Sequence, residues 1–585
     1  MGEKAEIIIA DHLLIPRSSQ STESNKTGSW RFLRPRYDEK TAPCSAACPA
    51  GEDIAMIEML TTQGLFKEAW DTILKENPFP AICGRVCFHP CERRCNRGEF
   101  DEAIAIHAIE RFLADTAARN EFKSSLEKQP ERKEKIAVIG AGPSGLAAAY
   151  FLAILGYACD VFESMPEAGG VLRWGIPEYR LPVSVLRSEI VRIEDMGVRI
   201  YTGTSVSRDF LSNARGEYDA VFMGCGHSRS RKLAIPGEGL EGIEEGIVFL
   251  DRIRRGETDA VKGTVAVIGG GNTAVDVARS VVRLGGKALI VYRRRRQDMP
   301  AFEDEISMAL EEGVEIRELL APVRIDRAGD YFTLTVQAMR VAGEETDGRA
   351  AIEPEVDKAD EIVIQKIFKA IGEEAAEEWY NPAERGKQRL TLGNSVLVHR
   401  DDGIVVAYGG DLTNDTKSVV HAVASGKEAA MALDVFFRKG FHAIQQELAA
   451  YMVGNGPSLS METYMKGRRS ERNHHVVAYD EINIDYFNLA ARITQPRLLI
   501  DERKKTFGEI DLKISANLAI REAERCFNCG LCNQCDNCYL FCPDLAVCRD
   551  DSLQGRHINY DYCKGCGLCV VECPRNAMVL EEEGQ

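Results

Sequence analysis

A multidomain α/β fold is what this sequence predicts, and three observations carry the prediction. A strand, glycine turn, helix and second strand occur twice, in KIAVIGAGPSGLAAAYFLAILGYACDVFE and in GTVAVIGGGNTAVDVARSVVRLGGKALIVYRRR. The 19 cysteines fall almost entirely into three dense sets, Cys44–Cys95, Cys526–Cys548 and Cys563–Cys573, with only Cys159 and Cys225 apart. The chain's 585 residues suffice for about three to five domains, so large cores can form without disulfide staples and stability does not explain the thiols.

Taken in order, residues 1–35, with SSQSTESNKTGS inside, are polar and read as an arm. Residues 36–130 alternate cysteine loops with amphipathic patterns such as IAMIEMLTTQGLFKEAWDTILKE, the mark of a small helical domain wrapped on metal. The two glycine patterns open dinucleotide domains near 131 and near 262. Residues 446–520, with GNGPSLS and the basic GRRSERNHH, read as a linker, and residues 521–585 as a ferredoxin-like tail.

A net charge of −17 argues against nucleic acid and against an anionic membrane surface, and suits docking on a basic patch of a protein partner. EIIIADHLLI is too short and too acidic for a signal peptide, and no run approaches the ~20 apolar residues of a membrane span. The chain reads as cytosolic, where clustered thiols mean metal or redox chemistry.

In the first glycine turn Gly140 permits the tight turn, Gly142 lets backbone approach a pyrophosphate, and Gly145 allows close helix packing. Pro143 and Ser144 begin the helix, and Glu163 closes the second strand, placed to bond ribose hydroxyls. The second turn has Gly269 and Gly271, then Asn272, Thr273 and Ala274 in the opening of its helix. Where an acid would favour NAD, this copy has Tyr292 followed by four arginines; Arg293 and Arg294 can clamp a 2′-phosphate. A solvated basic edge is the bland alternative, so NADPH is favoured and NADH stays open.

In the tail, Cys563, Cys566, Cys569 and Cys573 followed by Pro574 form C-x2-C-x2-C-x3-C-P. In two-cluster ferredoxins the fourth cysteine of each run ligates the other cluster. Cys542, before Pro543, should therefore join Cys563, Cys566 and Cys569, while Cys573 crosses back. Its companions are either Cys532, Cys535 and Cys538, which have the preferred spacing, or Cys526, Cys529 and Cys532, which match the C-G-x-C phrase. The leftover thiols fit a disulfide, a further metal site or an inert role.

Residues from Pro43 to about Ala432 resemble the small subunit of bacterial glutamate synthase and its relatives, through ACPAGEDI, NPFPAICGRVC, GAGPSG, GGVLRWGIPEYRLP, GCGHSRSRKLAIPGEG, GGGNTAVD, YRRRRQDMPA and GGDLTNDTKSVVHAVASGKEAA. The resemblance implies a flavoprotein with a discontinuous FAD domain over 131–261 and 385–445, interrupted by an NAD(P) domain over 262–384. It places Gly170, Gly410 and Asp411 at the FAD, with Asp411 on the phosphoribityl chain and residues 416–426 beside the isoalloxazine. Relatives carry four cysteines before the first C-P; here only Cys44 and Cys48 remain, followed by Cys83, Cys87, Cys91 and Cys95. Six thiolates hold one 4Fe-4S cluster, and a second would need two more ligands; structural zinc is the alternative. The added tail is similar to the NAD(P)H:acceptor oxidoreductase that works beside dissimilatory sulfite reductase.

These carriers imply a route from NADPH to FAD, to an N-terminal cluster, to the ferredoxin domain and out to a redox protein, because flavin converts hydride into single electrons. The partners expected are that protein, with dissimilatory sulfite reductase as the named case, and a second copy in a homodimer. No acid or base is required, so no catalytic residue is assigned; His89, His107 and His421 read as structural, His421 near the flavin. Cys225 has no paired cysteine, so a disulfide-reductase dithiol is absent. The competing classes are an electron-input subunit of a glutamate synthase or 2-oxoacid oxidoreductase and a scaffold without turnover.

Overall fold

The computed structural model describes residues 25–257, 260–344, 350–377, 379, 388–401, 404–469, 471–550 and 555–583. The expected boundary at 384/385 and the first 24 residues of the expected arm lie outside them. The chain forms two compact units. The larger comprises Lys40–Asp480 and Phe487–Leu531; the smaller joins the described part of Met1–Glu39 to Glu481–Tyr486 and Cys532–Gln585.

The larger unit begins with short helices from Pro43–Ala47 to Ile106–Arg119. Proline opens the helices at Pro43, Pro80 and Pro90, where its missing N–H would have no helical partner anyway. Ile54, Ile57, Trp70, Ile73, Phe79, Ile82, Ile109 and Leu113 are buried and make this domain's core.

Next comes a seven-stranded sheet in the order Gln388–Thr391, Leu397–Asp401, Ile404–Tyr408, Ala220–Met223, Lys135–Ile139, Ala158–Phe162 and Arg199–Tyr201. From Ile404–Tyr408 onward the strands are parallel, and the central ones, Ile404–Tyr408, Ala220–Met223 and Lys135–Ile139, are apolar and buried along nearly their whole length, as a sheet covered on both sides requires. The chain leaves this sheet and returns to it, so the domain is discontinuous. The helices Pro143–Ile154 and Val419–Lys439 pack together, Gly426 being the point of closest approach: a Cβ there would lie 2.5 Å from the Ser144 carbonyl oxygen.

The intervening domain is a five-stranded parallel sheet, ordered Glu315–Arg317, Lys287–Val291, Thr264–Ile268, Lys366–Lys369 and Ile243–Glu245. Its last strand corrects the expected boundary at 262. Ile243 pairs with Ile367, and Phe249 and Leu250 of the following helix join the core of Val265, Val277 and Phe368. A three-residue edge strand carries no glycine fingerprint to announce it.

Three further corrections concern the ends. The expected linker, 446–520, is bound to its own unit: Asp53 pairs with Arg469 at 2.6 Å, and the buried Glu76 carboxylate accepts from Ser460 Oγ and the Met461 and Glu462 N–H groups. The expected arm ends in the strand Leu33–Tyr37, which pairs antiparallel with Met578–Glu582, Arg34 and Arg36 meeting Glu581. Residues 521–531, expected in the tail, belong to the larger unit.

Glu428 of helix Val419–Lys439 is buried, and burial pushes its pKa up to about 7, although Asn394 N–H donates to it at 2.8 Å. The folded chain therefore holds this proton more tightly than the unfolded chain, so stability falls as pH rises from the ordinary value of 4.5 through about 7. Glu428→Gln keeps the acceptor for Asn394 and should flatten that slope. Its melting temperature should exceed the parent's at pH 8 and match it near pH 4.5; parallel pH profiles would contradict the assignment.

Candidate redox site

Gly140 has φ +97°, and a Cβ there would meet the Gly224 carbonyl at 2.6 Å; a Cβ on Gly145 would lie 1.9 Å from the carbonyl oxygen of Gly140. Both positions therefore require glycine. A Cβ on Gly170 would reach the Gly142 Cα at 2.8 Å, so this pair leaves bare backbone at the N-terminus of helix Pro143–Ile154. Bare backbone at a helix N-terminus is a geometry that can accept a pyrophosphate. The buried Glu163 carboxylate accepts from the N–H groups of Ala141 at 2.8 Å and Met165 at 2.9 Å, which fixes it at the strand's end.

The YGGD turn joins the same place from far along the chain. Gly410, at φ +65°, lies against Ser144, and its N–H donates to Ser425 Oγ at 2.8 Å; Ser144 and Ser425 hydroxyls are 3.2 Å apart. Asp411 is half-buried, and desolvation pushes its carboxyl up while the neighbouring Lys417 lowers it. Gly140, Gly142, Pro143, Ser144, Gly145, Gly170, Gly410 and Asp411 are thus gathered around one helix terminus.

In the second domain, Gly269 has φ +138° and a Cβ would strike the Ala370 carbonyl at 2.0 Å, whereas nothing lies within 4 Å of a Cβ on Gly271. This open backbone precedes helix Asn272–Arg283; Asn272 Oδ1 accepts from Phe302 N–H at 3.0 Å, Thr273 is half-buried and Ala274 buried. Past the strand Lys287–Val291, Asp298 engages Arg295 at 2.8 and 2.9 Å. Arg293 is exposed at the strand's end, and half-buried Arg294 donates to the Ala350 carbonyl at 3.4 Å.

The N-terminal thiols lie within electrostatic reach of one another. Burial pushes the Cys91 thiol up, and Cys48, Glu92, Cys87 and Cys44 all act on it electrostatically; Glu110 acts on Cys87 and Cys83. Cys95, Cys526 and Cys529 act in the same way on Cys44, together with Glu58. In the smaller unit one cavity is lined by Cys542, Cys563, Cys566 and Cys569 and a second by Cys532, Cys535, Cys538 and Cys573. The two are built alike: Cys542 Sγ accepts from Ala546 N–H at 3.2 Å and Cys573 Sγ from Ala577 N–H at 3.3 Å. Tyr37 Oη lies 3.3 Å from Cys538 Sγ.

A tetrathiolate zinc ion would hold its sulfurs about 3.8 Å apart. Among the described residues, the only trio of metal-capable atoms within 4.8 Å is His89, Glu92 and His107, in which His107 Nδ1 meets Glu92 at 2.7 Å and Arg492 pairs with the same carboxylate. The wider-set sulfurs suit the larger iron–sulfur core. Sequence reasoning missed Phe88, which directly follows Cys87. Its ring stacks on His421 at 5.7 Å and on Phe302 at 6.0 Å, joining the thiol domain to residues of both dinucleotide domains. No spacing rule marks an aromatic for this.

Residues 134–426 match the pyridine nucleotide-disulphide oxidoreductase family, residues 37–122 the 4Fe-4S domain II of dihydropyrimidine dehydrogenase, and residues 556–579 the 4Fe-4S binding domain. The NADPH-Fe(3+) oxidoreductase subunit beta of Geobacter sulfurreducens is 31% identical over 84% of this chain and 75% of its own length. The chain belongs to the glutamate synthase small-subunit-like FAD/NAD(P) iron–sulfur oxidoreductases. Other relatives are the NADP(+)-dependent formate dehydrogenase subunit beta of Moorella thermoacetica, 31% identical over 84% of this chain and 70% of its own, and the glutamate synthase [NADPH] small chain of Azospirillum brasilense, 31% identical over 69% and 90%. The chain is thus an NAD(P)H-dependent electron-transfer flavoprotein whose cofactors are FAD, a nicotinamide dinucleotide and 4Fe-4S clusters. Cys225 directs its thiol at the Ile139 carbonyl, 3.7 Å away. No helix among the described residues is long and apolar enough to cross a membrane.

Proposed function

We propose that this chain is an NAD(P)H:acceptor oxidoreductase that delivers electrons to a partner redox protein, dissimilatory sulfite reductase being the acceptor. The observation that carries the reading is the convergence, in one unit, of both dinucleotide turns and the N-terminal thiols, with Phe88 stacked between His421 and Phe302. FAD, when bound, takes hydride from the nicotinamide and passes single electrons on. The chain's part is placement. Gly140, Gly142, Pro143, Ser144 and Gly145 present backbone and a helix terminus to the pyrophosphate, Glu163 faces the ribose, and Gly170, Gly410 and Asp411 close the other side. Gly269, Gly271, Asn272, Thr273 and Ala274 do the same for the nicotinamide dinucleotide. Cys532, Cys535, Cys538 and Cys573 hold one cluster of the smaller unit, and Cys542, Cys563, Cys566 and Cys569 the other. The acidic chain supports docking on a basic partner surface.

Mixing NADPH-reduced protein with purified dissimilatory sulfite reductase under anoxic conditions tests the acceptor. Electron delivery that weakens as salt rises is expected; reduction of glutamate synthase or 2-oxoacid oxidoreductase partners alone would overturn it. Dinucleotide choice is tested separately. Arg293→Ala/Arg294→Ala should raise KM for NADPH roughly 10- to 100-fold, the loss of ~1.5–3 kcal/mol of charge-assisted bonding, and leave KM for NADH nearly unchanged. Equal changes for both would make these arginines a solvated edge.

A further inference from the structure

The geometry points to a fourth 4Fe-4S site, in the N-terminal helical domain, whose ligands are Cys44, Cys95, Cys526 and Cys529. It rests on the reading of the chain as an iron–sulfur flavoprotein and adds a site that takes half its ligands from the other end of the unit. Four observations carry it.

The first is the docking of the segment that bears the two late cysteines. Helix Ala516–Glu524 lies against helices Ile54–Thr62 and Ile106–Arg119. Its Glu522 accepts from Ala105 N–H at 2.8 Å, Arg97 donates to the Arg525 carbonyl at 2.9 Å, and Asn528 Nδ2 donates to the Ala55 carbonyl at 2.9 Å. The second is Gly530, at φ +74°. Lys40 N–H donates to its carbonyl at 2.9 Å, and a Cβ at 530 would lie 2.6 Å from the Lys40 carbonyl oxygen. Only glycine lets the Cys529–Cys532 turn approach the backbone that leads into Cys44.

The third is mutual proximity. Cys95, Cys526, Cys529 and Glu58 all lie within electrostatic reach of Cys44, and Glu58, Cys95 and Cys529 within reach of Cys526. Cys526 Sγ accepts from Asn528 N–H at 3.3 Å and Cys529 Sγ from Asn96 Nδ2 at 3.5 Å, N–H bonds of the kind that tune a cluster's thiolates. The fourth is Glu58. It is fully buried beside Cys44, Cys95 and Cys526, and neither carboxylate oxygen has a hydrogen-bond partner. A polar side chain orphaned this deep points to a further group that belongs in the space among these thiols.

On ligation each of the four thiols gives up its proton and forms one bond from sulfur to an iron of a preassembled cluster. Cys48 is left to the neighbouring group with Cys83, Cys87 and Cys91, and the surplus of thiols before Cys542 is accounted for.

The test is iron content and the electron paramagnetic resonance spectrum of full-length protein, purified anoxically and reduced with dithionite. The parent should hold about 16 irons per FAD, and Cys526→Ser/Cys529→Ser about 12, with one cluster signal gone. Cys44→Ser/Cys95→Ser should lose the same signal, and the four-fold variant should again hold about 12. Unchanged iron in Cys526→Ser/Cys529→Ser, or about 8 in the four-fold variant, overturns the assignment. If the variants do not fold, the parent decides: about 12 irons, all in 4Fe-4S form, would overturn it. Flavin bleaching by NADPH is read separately; its failure with iron intact counts against the electron-transfer reading and not against these ligands.

Discussion

Removing residues 532–585 should cut delivery to the protein acceptor by roughly two orders of magnitude or more, while reduction of a small dye by NADPH stays within about twofold of the intact chain. Residues 1–39 must go with them, because strand Leu33–Tyr37 would otherwise lose its pairing with Met578–Glu582. The cut belongs after Leu531, since residues 516–531 are part of the larger unit through Glu522, Arg525 and Asn528. Undiminished delivery would mean that electrons leave from the larger unit directly. Loss of FAD from the trimmed protein would mean that the ferredoxin unit is structural.

Lys427→Met should be among the most destabilising single changes in the larger unit, at about 3–5 kcal/mol. Lys427 is 1% exposed, its Nζ lies 2.6 Å from the equally buried Glu76 carboxylate, and it also donates to the Ala50 carbonyl. Glu76 in turn holds Ser460, Met461 and Glu462, so the pair fastens the flavin-side helix Val419–Lys439 to the thiol domain and to the segment after it. Removing the cation leaves a buried carboxylate uncompensated. Chemical denaturation should show the loss, and Glu76→Gln added to Lys427→Met should recover part of it; additive losses would show that the two residues act independently.

What was legible in the sequence is what is local. Gly140, Gly142 and Gly145 sit within six residues, and their steric need is written in that spacing. The same holds for Cys563–Cys573, whose x2, x2, x3 rhythm fixes how a short loop can wrap a cluster. Strand Ile243–Glu245 was not legible, because three residues at a sheet edge carry neither period nor turn signal. Nor was the partnership of Cys44 with Cys526, across almost the whole chain: spacing rules act within a run, and only docking of helix Ala516–Glu524 brings the two together. Strand Leu33–Tyr37 was hidden for the opposite reason. Its sequence, LRPRY, is charged and carries a proline, which an edge strand tolerates and a central one does not.

The account's central claim is that nicotinamide electrons enter at the flavin and continue into iron–sulfur clusters of the same chain. Anoxic titration of the full-length protein with NADPH, followed by optical and paramagnetic resonance spectra at each step, tests it most directly. Flavin bleaching accompanied by the appearance of reduced-cluster signals, with NADPH alone as reductant, is the predicted result. Clusters that stay oxidised under NADPH, while dithionite reduces them fully, would contradict it.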